Sequence, residues 1–484
     1  MSLHRAVRLA VWWAIPGLAW AQQPSEMKPV TDRLAASIYN GPSMKTLGEL
    51  TDGIGGRLSG SPAYVRSTEW ALAKFRSYGI ENVRLEPFKI PAGWQRGTAT
   101  GAMLLPLSRP LNVASLGWAP STPAGGVKGP VVIVADVDPE VLRSREAELQ
   151  EKIVFLDTSK IYAEGYGKAL PKLEAAWRTF QEAGVLAAIL PDREKSNVLN
   201  AHDGSWGAKM LPLPVAQVGM EDAKLIQREL ERGVVTIQLT IENQTSGETT
   251  VNNVIAEIRG SERPDEWILI GAHLDSWDFG TGAQDNGTGA ISVLEIGRAL
   301  MALGKAPRRS VRLALWGGEE QGLLGSYAYT QTHKGELNKC VAVLNTDNGA
   351  GHPKGWKVEG REDLRKAMQP WSDGLLKDLS GGDVSLETTY DTDHGPFVLQ
   401  GIPALDLWVD ETHYMEIHHK SSDTLDKVDG LDFKAGEAIV AVTAYAIAQS
   451  ETPIAPHINH QAVSEIVKKA KLEDMLVNVG VWKP

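Results

Sequence analysis

With 484 residues, 43% of them hydrophobic and 23% charged, the chain is long enough for two domains and apolar enough to bury a sizeable core, which excludes global disorder. Its 60 acidic residues outnumber its 49 basic ones, for a formal net charge of −11, and no Lys/Arg-rich run interrupts that excess. Phosphate binding needs a basic face, so nucleic acid is excluded as a partner.

Arg5 and Arg8 precede an apolar run from Leu9 to Trp20, and Ala19-Trp20-Ala21 forms a small-x-small cleavage site. This is the layout of a secretory signal peptide. The run is shorter than the roughly 20 apolar residues a membrane anchor needs. Segment 1–21 is therefore expected to be removed near Ala21, with the protein exported to the periplasm or secreted. No later stretch is long enough to span a bilayer.

Residues 31–80 read largely as helices, interrupted by the Gly-rich GIGGRLSGSP at Gly53–Pro62, and 83–118 as short strands and turns. The first part of the main domain is expected over 22–120. Between 121 and 246 the character changes: VKGPVVIVADV, KIVFLD and VVTIQLTI are strand-like, and TFQEAGVLAAILPD reads as a helix followed by a strand. A separate, β-rich insertion without a dense His/Asp/Glu cluster is expected there.

The second part of the main domain, 247–452, carries a strong α/β pattern. WILIGAHLD (267–275), SVRLALWGGEE (310–320), CVAVLNTD (340–347) and IPALDLWVD (402–410) are strand candidates, and GAISVLEIGRALMALG (289–304) is helical. Apolar runs without alternation imply strands buried on both faces, hence an α/β fold with a mixed central sheet sandwiched by helices. Cys340, the only cysteine, sits in one such run and reads as core filler. The tail, 453–484, reads as one amphipathic helix around IVKKAKLEDML, with no visible chemistry.

Polar residues able to bind metal stand where these apolar strands end. His273 and Asp275 close the first, Glu319 and Glu320 the second, and Asp347 the third, while Asp285 lies in the Gly-rich loop after the first. In open α/β sheets ligands gather beyond the carboxyl ends of strands. His273 and Asp275, two apart on a strand, share a face, so Asp275 can accept the second imidazole N–H and fix its tautomer. Asp285 is flanked by Gly282, Gly287 and Gly289, which permit close turns, and a carboxylate there can bridge two metals about 3.5–4 Å apart. Glu319 and Glu320 are neighbours and aim differently, one toward metal and the other toward an attacking water. Taken singly, an H-x-D pair is most often an ordinary hydrogen bond, an E-E pair a solvated turn and N-T-D a capping motif. Their succession at strand ends is what points to a metal site. His418 and His419, in HHKSSDTLD, add a late pair of which either member could be a ligand.

Together GAHLDSWDFGTGAQDN, LALWGGEEQGLLGS, LNTDNGAG and HHKSSDT resemble the co-catalytic zinc aminopeptidases, a family that includes glutamate carboxypeptidase II. The resemblance is greatest to the carboxypeptidase Q (plasma glutamate carboxypeptidase) branch and extends from about Gly53–Ser61 to about Ala448. It implies that the insertion is a protease-associated domain. It also implies two zinc ions per chain, one held by His273 and Asp347, the other by Glu320 and His419, with Asp285 bridging. His419 is preferred to His418 because the family histidine lies four residues before the Asp of the D-T pair, here Asp423. By the same resemblance Glu319 is the general base, Asp275 orients His273, and Tyr414 stands where a family tyrosine stabilises the oxyanion. Asn286 occupies a position where this branch often has Asp, which touches no ligand.

The expected activity is hydrolysis of a terminal peptide bond in dipeptides or short peptides, by an aminopeptidase or dipeptidase, with carboxypeptidase polarity as the alternative. A single-zinc glutaminyl cyclase, on a related fold, and a non-catalytic binding protein of the transferrin-receptor kind are less favoured, since all five ligand positions are retained. The resemblance also suggests a homodimer.

Overall fold

The apolar runs become the middle of an eight-stranded sheet in the computed structural model, which describes residues 24–163 and 165–484. The signal-peptide segment lies outside the described residues. Across the sheet the strands are Asn82–Ile90, Thr249–Ile258, Arg309–Trp316, Arg263–His273, Cys340–Asn345, Ala404–Val409, Pro353–Lys357 and Asp383–Ser385. Arg263–His273 runs parallel to both neighbours, and Ala404–Val409 extends the parallel set beyond Cys340–Asn345. Thr249–Ile258 and Pro353–Lys357 flank that set antiparallel, so the sheet is mixed.

Successive side chains of a strand point to opposite faces. Ile268, Ile270 and Ala272 enter one core with helices Pro24–Tyr39, Thr288–Ala302 and Gly430–Gln449, among others. Trp267 and Leu269 enter a second core, with Tyr329 of helix Leu324–Thr332 and Phe397 of Gly395–Val398. Both faces are covered, which is why the strand shows no polar alternation. Each Ile or Leu buried in this way contributes about 1.5–3 kcal/mol relative to an exposed side chain. Gly430–Gln449 is apolar nearly all round, as a helix buried on all sides must be. It starts where the Asp429 side chain accepts from the N–H groups of Leu431 and Asp432. Cys340 is buried in the second core, as expected.

A second eight-stranded sheet belongs to the inserted module. Its strands begin at Trp94–Leu105, Arg109–Leu111 and Val113–Ser115, ahead of the expected start at residue 121. Trp94–Leu105 is drawn in because it pairs antiparallel along Thr236–Thr245, the strand that closes the module. The module is also less purely β than expected. Val127–Val134, Ile153–Leu156, Ala187–Pro191 and Val215–Val218 run parallel, and the long helix Tyr166–Glu182 makes one crossover between them.

The tail forms two helices, His460–Lys469 and Glu473–Asn478, where one was expected. Lys471 takes the left-handed conformation, with φ of 60°, and breaks the run after Ala470. Among the described residues no helix is long and apolar enough to cross a membrane.

Candidate metal centre

All the strand-end residues singled out in the sequence meet beyond the carboxyl ends of the parallel strands and line one cavity, except Asp275, which lies buried directly behind His273. His273 is the last residue of its strand, and its Nε2 lies 2.9 Å from Asp347 Oδ1 and 3.3 Å from Asp285 Oδ1. His419 Nε2 lies 3.2 Å from the other oxygen of Asp285 and 3.1 Å from Glu320 Oε2. Asp285 therefore stands between two groups and offers one oxygen to each. His418 Nε2 also approaches Asp285 Oδ2, at 3.5 Å, with its ring stacked 3.7 Å from that of His419.

The two adjacent glutamates do aim differently. Glu320 is almost fully buried, its side chain 2% exposed, and its Oε1 accepts from the Trp277 N–H at 3.0 Å. Glu319 is more open to the cavity, with a side chain 13% exposed and Oε2 3.8 Å from His273 Nε2. Tyr414, in helix Thr412–Ile417, lines the same cavity with its ring 5.0 Å from that of His418.

Asp275 sits against His273, but by a different route from the one expected. The imidazole Nδ1 lies 3.0 Å from the Asp275 main-chain oxygen and 3.6 Å from its carboxylate. That carboxylate accepts instead from the Glu319 N–H at 3.3 Å. Two residues along a strand do share a face, but the chain leaves the strand at Leu274 and turns the carbonyl, rather than the side chain, toward the ring.

The donor set fits a cation. A main-chain carbonyl can only accept, so His273 Nδ1 carries a proton and Nε2 is the atom turned toward Asp347 and Asp285, free to serve as the ligand of a cation. Without metal the carboxylates keep a proton on Nε2, and a cation bound among them would take that proton's place. The buried carboxylates Asp285, Glu319, Glu320 and Asp347 share the cavity wall with three histidines, and no Lys or Arg among the described residues lines it. Burial alone would push the His273 imidazole down, but Asp347 and Glu319 outweigh it and hold it well above the usual histidine range. Burial also lowers His419, yet Glu320 and Asp285 carry it to about 10. Burial raises Glu319 well above the carboxylate range, with Asp347 and Glu320 adding to it, and burial with Asp285 nearby takes Asp347 to about 8. Imidazole nitrogen and carboxylate oxygen in this mixture suit zinc.

Two residues that hold the Asp285 loop escaped the sequence reading. Arg57 is fully buried and donates to the carbonyls of Leu274, Thr281 and Gly282. Asp423, read only as a marker for His419, accepts from the N–H of Gln284 at 2.7 Å and of Asp285 at 3.1 Å. Gly282 has φ of 63°, and a Cβ there would strike Ser276 and Arg57. The signal for Arg57 was present, since it lies inside the Gly-rich GIGGRLSGSP.

The module buttresses the late histidines. His419 adopts the left-handed conformation, with φ of 61°, uncommon for a residue with a side chain. Its carbonyl accepts from the Ala201 N–H at 2.8 Å, and Asn200 Nδ2 donates to the His418 carbonyl at 3.1 Å. Trp94 and Trp118 of the module stack at 5.7 Å, Trp118 meets Trp277 edge-on at 6.4 Å, and Trp277 lies 6.0 Å from the His419 ring.

Residues 253–444, which supply every strand-end ligand, match the sequence profile of peptidase family M28. Over 416 residues the chain is 31% identical to carboxypeptidase Q of Mus musculus, covering 85% of this chain and 87% of that one. The chain belongs to peptidase family M28. It is a peptidase, and hence a hydrolase. The backbone agrees with a Peptidase M28 precursor from Shewanella amazonensis, at a TM-score of 0.75 and 29% identity over 90% of this chain and 100% of that one. BSAP, a zinc aminopeptidase from Bacillus subtilis, shares the fold at a TM-score of 0.64 and 20% identity, over 83% of this chain and 93% of that one.

Proposed function

We propose that this M28 peptidase is an exported two-zinc exopeptidase that releases the amino-terminal residue of dipeptides and short peptides. The observation that carries the reading is Asp285, whose two oxygens face two separate ligand groups. His273 and Asp347 would hold one ion, Glu320 and His419 the other, and Asp285 both. When bound, the ions polarise the scissile carbonyl and bring the pKa of a water toward neutrality.

The chain's own residues supply the rest. Glu319, at the open side of the cluster, takes the proton of the attacking water and returns it to the leaving amine. The Tyr414 hydroxyl donates to the oxygen that becomes negative in the tetrahedral state. Asp275 and Arg57 hold His273 and the Asp285 loop in place. Export rests on Arg5, Arg8 and the apolar run to Trp20, with cleavage near Ala21.

The terminus recognised follows from charge. A substrate carboxylate would find no Lys or Arg among the described residues lining the cavity, whereas Asp391 lines it and can accept from an ammonium group; Glu411 lines it too, with one oxygen already accepting from Lys357 Nζ at 3.1 Å. Burying a carboxylate without a partner is costly, so a free amino terminus is favoured. The 31% identity to a carboxypeptidase Q favours the opposite polarity as the second reading. Hydrolysis of free, amino-acetylated and carboxyl-amidated dipeptides separates the two. The expected result is that acetylation abolishes cleavage and amidation leaves it. Cleavage of acetylated peptides with amidated ones untouched would establish carboxypeptidase polarity.

A further inference from the structure

The cavity encloses about 460 Å³ and has two unlike ends. One is the carboxylate and imidazole cluster. The other is apolar, and much of it comes from the far end of the chain: Met475, Leu476, Val479 and Val481 line it beside Leu323 and Tyr390. We propose that the C-terminal tail builds the side-chain pocket of the substrate site, and that this pocket takes a large apolar side chain such as Leu, Met or Phe from the residue adjoining the scissile bond. The proposal rests on the exopeptidase reading above.

The tail is anchored on both sides. Leu476 and Trp482 are buried in a cluster with Leu323, Tyr390 and Leu399 of the catalytic fold. The Trp482 ring stacks on His460 at 4.5 Å with only 6° between the planes, and His460 Nε2 lies 3.0 Å from the Lys483 carbonyl. Helix Glu473–Asn478 also packs against helix Tyr166–Glu182 of the inserted module. The last dozen residues thus touch both parts of the molecule while lining the cavity. On that helix and its C-cap residue Val479, Met475, Leu476 and Val479 fall at positions i, i+1 and i+4, which share one face.

The sequence pattern alone reads this face as an ordinary amphipathic stripe, which normally packs on a core. Here only Leu476 is fully buried, while Met475 and Val479 remain half-buried at the cavity. A fixed apolar wall beside the reacting bond favours substrates whose side chain covers it, because that burial removes apolar surface on both sides from water. It disfavours Lys, Arg, Asp and Glu side chains, which would lose hydration and find no charged partner among Met475, Leu476, Val479 and Val481. Discrimination by such a pocket runs at about 10–200-fold for a change of one methylene, so Leu against Ala should be at least about tenfold.

Full-length, zinc-loaded Val479→Asp and Met475→Ala should be compared with wild type on Leu-Gly, Ala-Gly and Lys-Gly and on the mirrored Gly-Leu, Gly-Ala and Gly-Lys, with zinc content and melting measured alongside. Wild type should prefer Leu at one position. Val479→Asp should cut the Leu/Ala ratio of kcat/KM about tenfold and raise Lys relative to Leu, with both zinc ions retained. Met475→Ala, which only removes volume, should lower the Leu/Ala ratio in the same direction and carries the test if Val479→Asp melts early or loses metal. Unchanged ratios in both variants at both peptide positions would overturn the proposal. Failure of the exopeptidase reading looks different: zinc-loaded wild type would then cleave none of the dipeptides, and the pocket falls with it. Which set of dipeptides responds reports the side of the scissile bond that the pocket serves, while polarity is read from the acetylated and amidated peptides.

Discussion

Glu319→Gln should keep both zinc ions and lose about 10²–10⁴-fold or more in kcat, because the amide preserves shape but cannot accept the proton of the attacking water. The loss can exceed that range, since the same carboxylate also serves the leaving amine. Glu320→Ala is the informative neighbour. It removes an oxygen that lies 3.1 Å from His419 Nε2, so it should lose zinc together with activity. Both variants are nearly dead, and metal analysis tells them apart. If Glu319→Gln loses zinc and Glu320→Ala keeps both ions, the two roles are exchanged.

Asp285→Ala should have the broadest effect on the metal site, because Asp285 alone faces both ligand groups. Outer partners of a metal ligand typically cost about 10–100-fold in affinity when removed. Loss of the shared ligand itself should cost more, and at both positions. Zinc should fall below one ion per chain after dialysis, and peptidase activity to background. Melting checks that this is not unfolding. Zinc binds the folded site and not the unfolded chain, so stripping it should lower the melting temperature of wild type markedly. Without metal Asp285, though buried, pairs with His273 and His419, which hold its carboxyl well below the usual carboxylate range, so metal-free Asp285→Ala should melt below metal-free wild type while still unfolding in one cooperative transition. A variant that keeps one ion at full affinity would show that Asp285 serves a single metal.

Most of the site was legible because of how buried parallel strands are built. A strand covered on both faces is apolar until it leaves the sheet, so His273, Glu319, Glu320 and Asp347 stand out as abrupt polar endings. Asp285 was legible from the glycines around it, which a close turn beneath a helix start requires. The likeness of motifs, rather than spacing, singled out His419 over His418, and the geometry puts His419 nearer to Asp285 and Glu320.

Other features were hidden because they depend on contacts far apart in the chain. Trp94–Leu105 reads like any short strand, and only its pairing with Thr236–Thr245, some 140 residues on, assigns it to the module. Arg57 and Asp423 act through main-chain groups of 274–285, which leave no residue-type signature. The Asp275 carboxylate was expected on His273, yet a turn of one peptide unit moved it to the Glu319 N–H. The tail looked inert because an apolar helix face says only that something covers it. Its partner, the wall of the catalytic cavity, appears only once the chain is folded.

The central claim is a pair of metal ions sharing Asp285, and the most direct measurement is zinc bound per chain in the purified, fully active protein after dialysis without chelator. The account predicts two zinc ions per chain, with activity abolished by chelation and restored only as the second ion returns. A single tightly bound zinc in protein of full activity would contradict it.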